Sequence, residues 1–82
     1  MTRIDVENKI IDLVADKLGI NKEEISMTSD FRKDLSADSL DVSEFIMNLE
    51  DEFSITVPET EIMNLKTVGD VVNYVLNTTS TK

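Results

Sequence analysis

The chain of 82 residues has no cysteine and no histidine. Without cysteine it can form no disulfide framework and no thiolate nucleophile, and it offers no cysteine ligand to a metal. Histidine is the side chain that normally exchanges protons near neutral pH, so acid and base catalysis would need a strongly shifted carboxylate or lysine. A glycine-rich loop that could cradle a phosphate is also missing. These absences predict a protein that is not an enzyme and has neither catalytic residues nor a metal site.

Long apolar runs are absent as well. Acids interrupt the first residues every few positions, and no segment reaches the length of a signal peptide or a membrane span. We therefore expect a soluble, cytoplasmic protein without stable membrane association. With 82 residues and 40% apolar content, the chain is long enough for one small hydrophobic core. The expected organisation is a single domain over residues 1–77, followed by a polar tail over residues 78–82.

Positive charge is scarce and unevenly placed. The net charge is -9, and nine of the 17 acids lie within residues 34–65, where there is no lysine or arginine. The other eight acids are balanced by the eight basic residues, so this one segment carries the whole excess. Such a surface repels nucleic acid and anionic membranes and attracts basic patches on other proteins.

The first half of the chain predicts one helix and a long connection. Apolar residues recur at helical spacing between Thr2, a good capping residue, and Gly19, a left-handed helix stop. Over residues 20–37 the periodicity is lost, although spaced apolar residues remain. These residues are expected to form a long loop that the core holds at intervals.

Three more helices are expected after this loop. The second covers about residues 38–53, and the third is a short helix over residues 59–65, after Pro58. The last follows a capping box formed by Thr67 and Asp70. The chain is therefore predicted to fold as an all-α, four-helix bundle with a long first loop and a short third helix.

The start of the second helix presents a hydroxyl group. Asp38 has the short oxygen side chain of an N-cap, and Asp41 lies three residues later, where it completes a capping box. Ser39 is then the first helical residue. Its side chain is expected to point outward, because the apolar residues that follow define a different, inward face. Our hypothesis is that the fold presents this serine.

The second helix has two apolar faces. Its inward face consists of Phe45, Ile46, Leu49 and Phe53. The second face, called here the docking face, has Leu40, Ser43 and Met47 at its centre and is flanked by Asp41, Glu44, Glu50 and Asp51. Exposed apolar residues ringed by charge of one sign are typical of a transient protein-binding surface.

Four stretches of the chain together resemble the acyl carrier protein family. They are Asp-Leu-Ser-Ala-Asp-Ser-Leu-Asp at residues 34–41, Leu-Glu-Asp-Glu-Phe at 49–53, Ile-Thr-Val-Pro at 55–58 and Thr-Val-Gly-Asp-Val-Val-Asn-Tyr-Val at 67–75. The resemblance covers nearly the whole chain. Two positions depart from the family pattern: Ser36 replaces a common glycine, and Ser43 replaces an apolar residue.

The resemblance implies a prosthetic group on Ser39, between Asp38 and Leu40. This group is 4′-phosphopantetheine, transferred from coenzyme A by a separate phosphopantetheinyl transferase, and its thiol carries acyl groups as thioesters. By the same resemblance, the acyl chain folds back into a pocket formed by Phe45, Ile46, Leu49, Ile62 and Leu65.

The resemblance also implies partners. Fatty acid synthesis enzymes with basic patches would bind the docking face of a monomeric carrier. Two alternatives remain open from the sequence: a dedicated carrier for a polyketide, lipid-tailoring or peptide-synthetase pathway, and an unmodified acidic interaction module that does not need Ser39.

Overall fold

The computed structural model describes residues 2–79, with side chains over residues 2–78. It contains four α-helices and one short 3-10 turn within these residues, and no β-strand. The helices are α1 (Arg3–Leu18), α2 (Ser39–Phe53), α3 (Glu59–Ile62) and α4 (Val68–Thr79), and the 3-10 turn is Lys22–Glu24. The prediction of an all-α bundle with a long first loop and a short third helix is confirmed. None of the described helices is long and apolar enough to cross a membrane.

Helix α1 begins and ends where its local chemistry predicts. The Thr2 hydroxyl accepts a hydrogen bond from the Asp5 N–H at 3.2 Å, and the Asp5 carboxylate accepts one from the Thr2 N–H at 3.3 Å. At the other end Gly19 has a φ of 66°, a left-handed conformation that glycine adopts without a Cβ clash. Both helix ends are therefore determined by residues within one turn of them.

The core lies between α1, α2 and α4. Helix α1 packs against both of the others. Its buried residues are Val6, Ile10 and Val14, and they meet Phe45, Ile46, Leu49 and Phe53 of α2 and Val68, Val71, Val72 and Val75 of α4. Each fully buried aliphatic side chain contributes about 1.5–3 kcal/mol through removal from water. This packing holds α2, and therefore Ser39, in a fixed orientation.

The long first loop is bonded to the start of α4. The Phe31 N–H donates to the Lys66 carbonyl at 3.0 Å, and the Gly69 N–H donates to the Met27 carbonyl at 2.8 Å. Loop side chains also reach the core, where the Phe31 ring lies 5.4 Å from the ring of Phe45. The consequence is that Lys66, distant in sequence, lies beside the residues that lead to α2.

The predicted end of the third helix was wrong. Helix α3 ends at Ile62 rather than residue 65, because the Leu65 N–H bonds to the Ile62 carbonyl at 3.1 Å, an i to i+3 contact that tightens the chain into a turn. This turn buries Leu65 and leaves Met63 exposed. Helix α4 continues through Thr79, and the division into a domain over residues 1–77 and a tail stays a prediction. Residues 80–82 of the predicted tail lie outside the described residues.

Candidate functional site

Ser39 is the first residue of α2 and is exposed. The Asp38 carboxylate accepts from the Asp41 N–H at 2.9 Å, and the Asp41 carboxylate accepts from the Asp38 N–H at 3.4 Å. This is the predicted capping box, and it holds the chain extended at Asp38 before the helix begins. The serine hydroxyl is thus presented at a fixed, solvent-accessible point.

The Ser39 hydroxyl has a neighbour that the sequence did not predict. Arg32 Nη2 donates to Ser39 Oγ at 2.8 Å. Asp30 orients this arginine, because its Oδ1 accepts from the backbone N–H groups of Arg32 at 2.8 Å and Lys33 at 2.9 Å. Hydrogen bonds from the Lys33 and Arg32 backbone lower the pKa of Asp30 below its ordinary value. An aspartate two residues before Arg32 is a recognisable turn signal, but nothing local predicts the contact with Ser39.

A cavity of about 500 Å³ opens beside Ser39. Its walls come from the loop, the start of α2, the last residue of α3 and the segment after it. The apolar lining consists of Phe31, Val42, Ile62, Met63 and Leu65, and the basic lining consists of Arg32, Lys33 and Lys66. These three cations flank the acidic segment in sequence, and the fold brings them to one rim.

The predicted acyl pocket is only partly brought together at this cavity. Ile62 and Leu65 line it. Phe45, Ile46 and Leu49 do not, since they are buried in the core. Ile62 is partly buried and Leu65 is buried. Helical periodicity does not say which of the inward residues face a cavity and which face another helix, so the acyl pocket stays a prediction.

The docking face is exposed at its centre. Leu40 and Met47 are 65% and 63% exposed, and Ser43 is also exposed. Of the flanking acids, Glu44 and Asp51 are exposed, and Glu44 pairs with Lys17 at 3.1 Å.

Two other acids flanking the docking face have structural contacts. Asp41 belongs to the capping box described above, and Glu50 Oε2 accepts from the Val57 N–H at 2.7 Å. Glu50 is half-buried and therefore anchors the segment between α2 and α3, a role that its place on the helix did not predict.

Comparison with known proteins identifies the family. A family model described as "Phosphopantetheine attachment site" matches residues 8–75. The acyl carrier protein of Clostridium acetobutylicum is 53% identical over 70 residues, which cover 85% of this chain and 91% of the relative. The chain belongs to the acyl carrier protein family. The acyl carrier protein of Porphyromonas gingivalis is 45% identical over 71 residues, covering 87% of this chain and 91% of the relative.

A solved acyl carrier protein structure agrees with this fold. The structure from Enterococcus faecalis superposes with a TM-score of 0.80 at 31% sequence identity, and the match covers 94% of this chain and 98% of that one. Acyl carrier proteins carry acyl groups on a covalently attached 4′-phosphopantetheine, so this chain is an acyl carrier that uses this prosthetic group. The group supplies the thiol that a chain without cysteine lacks. An exposed serine beside a partly apolar cavity fits such a group.

Ser36, one of the two expected departures from the family pattern, has a backbone conformation that favours glycine. Its φ is 57°, in the left-handed region. A residue with a Cβ pays about 1–2 kcal/mol there, whereas glycine does not. The next residue, Ala37, donates its N–H to the Phe31 carbonyl at 2.7 Å. This bond fixes the loop two residues before Ser39.

Proposed function

We propose that Ser39 carries the 4′-phosphopantetheine of this acyl carrier protein. The observation that supports this most directly is the exposed hydroxyl of Ser39 at the capped start of α2, beside the cavity. On attachment, a bond forms between Ser39 Oγ and the β-phosphorus of coenzyme A. The bond from that phosphorus to adenosine 3′,5′-bisphosphate breaks, and the serine proton passes to a base on the transferase.

Asp38 and Leu40 are proposed to position this serine for the transferase. Asp38 holds the helix start through its bond to the Asp41 N–H. Leu40 offers an exposed apolar contact next to the reacting hydroxyl. Both would act before attachment, by presenting one rigid conformation to the transferase.

The acyl chain is proposed to enter the cavity beside Ser39. Ile62 and Leu65 line it together with Phe31 and Val42, and its volume of about 500 Å³ lies in the range of small-ligand sites. The packed side chains of Phe45, Ile46 and Leu49 lie deeper in the core. We propose that longer chains reach them only when the core side chains separate.

The docking face is proposed to bind fatty acid synthesis enzymes and the phosphopantetheinyl transferase. Leu40 and Met47 supply exposed apolar area, while Glu44 and Asp51 supply the charge that steers a basic patch. In this proposal the protein acts as a cytoplasmic monomer and has no catalytic activity of its own. The alternatives to this proposed function are a carrier dedicated to another pathway and an unmodified binding module.

An intact-mass measurement tests the proposal. The protein is weighed before and after incubation with coenzyme A and a broad-specificity phosphopantetheinyl transferase, together with Ser39→Ala and Ser54→Ala. Ser54 is a matched control, because it is an exposed serine at the other end of the same helix and lies outside the docking face and the cavity. We expect the parent and Ser54→Ala to gain one phosphopantetheine and Ser39→Ala to gain none. A gain in Ser39→Ala would overturn the assignment.

A further inference from the structure

We propose that Arg32, Lys33 and Lys66 form an anion subsite that binds the phosphodiester at the base of the prosthetic arm. This inference rests on the proposed attachment at Ser39. Arg32 Nη2 already lies 2.8 Å from Ser39 Oγ, the atom that would become an ester oxygen of the phosphodiester. The charged phosphate oxygens are bonded to the phosphorus next to that atom, within reach of a guanidinium group whose planar donors suit phosphate.

Ion pairing distinguishes Arg32, Lys33 and Lys66 from the other basic residues that the structure describes. Arg3, Lys9, Lys17 and Lys22 each form an ion pair with a carboxylate. Among the residues that the structure describes, the remaining cations form no such pair, and all of them line the cavity beside Ser39: Arg32, Lys33 and Lys66. The bond from Arg32 goes to a neutral hydroxyl. One carboxylate, Asp30, also lines the cavity and interacts electrostatically with Lys33 and Lys66. Three cations against one acid leave the subsite with an excess of positive charge.

The positive charge that would compensate a phosphodiester on Ser39 has to come from outside α2. Asp38 and Asp41 lie on either side of Ser39 along the chain, and a phosphodiester would add a third negative charge beside theirs. A helix N-terminus normally attracts an anion through its free N–H groups. Here the Asp41 N–H is already bonded to Asp38, and residues 34–65 contain no cation. Compensating charge must come from the segments on either side.

The fold holds those segments at the rim. The Asp30 carboxylate binds the backbone N–H groups of Arg32 and Lys33, which fixes the turn that carries both side chains. The bond from the Phe31 N–H to the Lys66 carbonyl brings the third cation to the same cavity. We infer that the base of the arm is held against this rim and leads into the cavity.

Melting temperatures of the apo and modified forms test the subsite. The change in melting temperature on modification is measured for the parent, for Arg32→Gln, for the triple variant Arg32→Gln/Lys33→Gln/Lys66→Gln, and for Lys22→Gln as a control. Lys22 is an exposed lysine paired with Asp12 and lies outside the cavity lining. We expect the change on modification to be at least about 4 °C less favourable in the triple variant than in the parent. Arg32→Gln should fall between them, and Lys22→Gln should match the parent. The difference should shrink at about 1 M salt, where charges are screened.

A second readout follows the phosphorus atom itself. The ³¹P resonance of the modified parent should shift when Arg32 is replaced by glutamine and should return toward the parent position in Arg32→Lys, which keeps the charge. It should not move in Lys22→Gln. The subsite would be overturned if all variants showed equal changes in melting temperature on modification and none of them moved the ³¹P resonance.

Intact mass distinguishes failure of the subsite from failure of the proposed attachment. Modification at Ser39 without any effect of the three cations contradicts the subsite alone. No modification at Ser39 contradicts both the attachment and the subsite.

Discussion

Replacing Ser36 by glycine is expected to stabilise the protein, because Ser36 is held at a φ of 57°. The left-handed conformation costs a residue with a Cβ about 1–2 kcal/mol. Glycine removes that strain but gives the unfolded chain more conformational freedom, which offsets about 0.4–1 kcal/mol. The mid-range values leave a net gain of about 0.8 kcal/mol, which corresponds to a rise of about 3–6 °C in melting temperature for a domain of this size.

Two other exposed serines, Ser54 and Ser43, serve as internal controls for this prediction. Ser54, the C-cap of α2, has a φ of 55°, so Ser54→Gly should stabilise to a similar extent. Ser43 is helical, so Ser43→Gly should destabilise by about 0.5 kcal/mol. Urea unfolding of the apo proteins measures all three, as a shift in midpoint without a change in slope. An unchanged or lower midpoint for Ser36→Gly, with Ser43→Gly behaving as expected, would refute the strain argument.

Three further predictions concern other contacts. Gly69→Ala should lower the free energy of unfolding by about 1–3 kcal/mol in the same assay, because its Cβ would lie 2.8 Å from the Met27 carbonyl oxygen; unchanged stability would contradict this close approach. Glu50→Gln should cost about 1 kcal/mol by weakening the bond to the Val57 N–H, and a neutral result would mean that this bond is dispensable. The pKa of Asp30 is lowered in the folded protein, so its ionised carboxylate stabilises the fold at pH values above the ordinary pKa of 3.8. This contribution is lost as the pH falls from 3.8 through the lowered pKa. Melting temperatures between about pH 5 and pH 3 should therefore fall less steeply for Asp30→Asn than for the parent, and parallel curves would contradict this role.

Local chemistry explains why much of the fold could be predicted from the sequence. The capping boxes at Thr2 and Asp38 involve residues three apart, and the Thr67 box is also present, with the Asp70 N–H bonded to the Thr67 hydroxyl at 3.1 Å. Helical spacing likewise identified the buried side of α2. The end of α3 could not be predicted in this way, because Leu65 reaches the core through a tightened turn.

The parts of the site that the sequence did not predict depend on contacts beyond one helical turn. Lys66 reaches the cavity because the long loop is bonded to the start of α4, and Arg32 meets Ser39, seven residues later, from the turn that Asp30 holds. No periodicity or capping rule connects residues 27–31 with residues 66–69. Ser36 is an intermediate case, because the family resemblance marked the position as a departure and the backbone angle supplied the physical reason.

Mapping the prosthetic group to one residue tests the central claim most directly. Trypsin cuts after lysine and arginine, so residues 34–66 are released as one peptide that contains Ser36, Ser39, Ser43 and Ser54. Fragmentation of this peptide from the modified protein should place the added mass on Ser39 alone. Added mass on any of the other three serines, or on a peptide from elsewhere in the chain, would contradict the account.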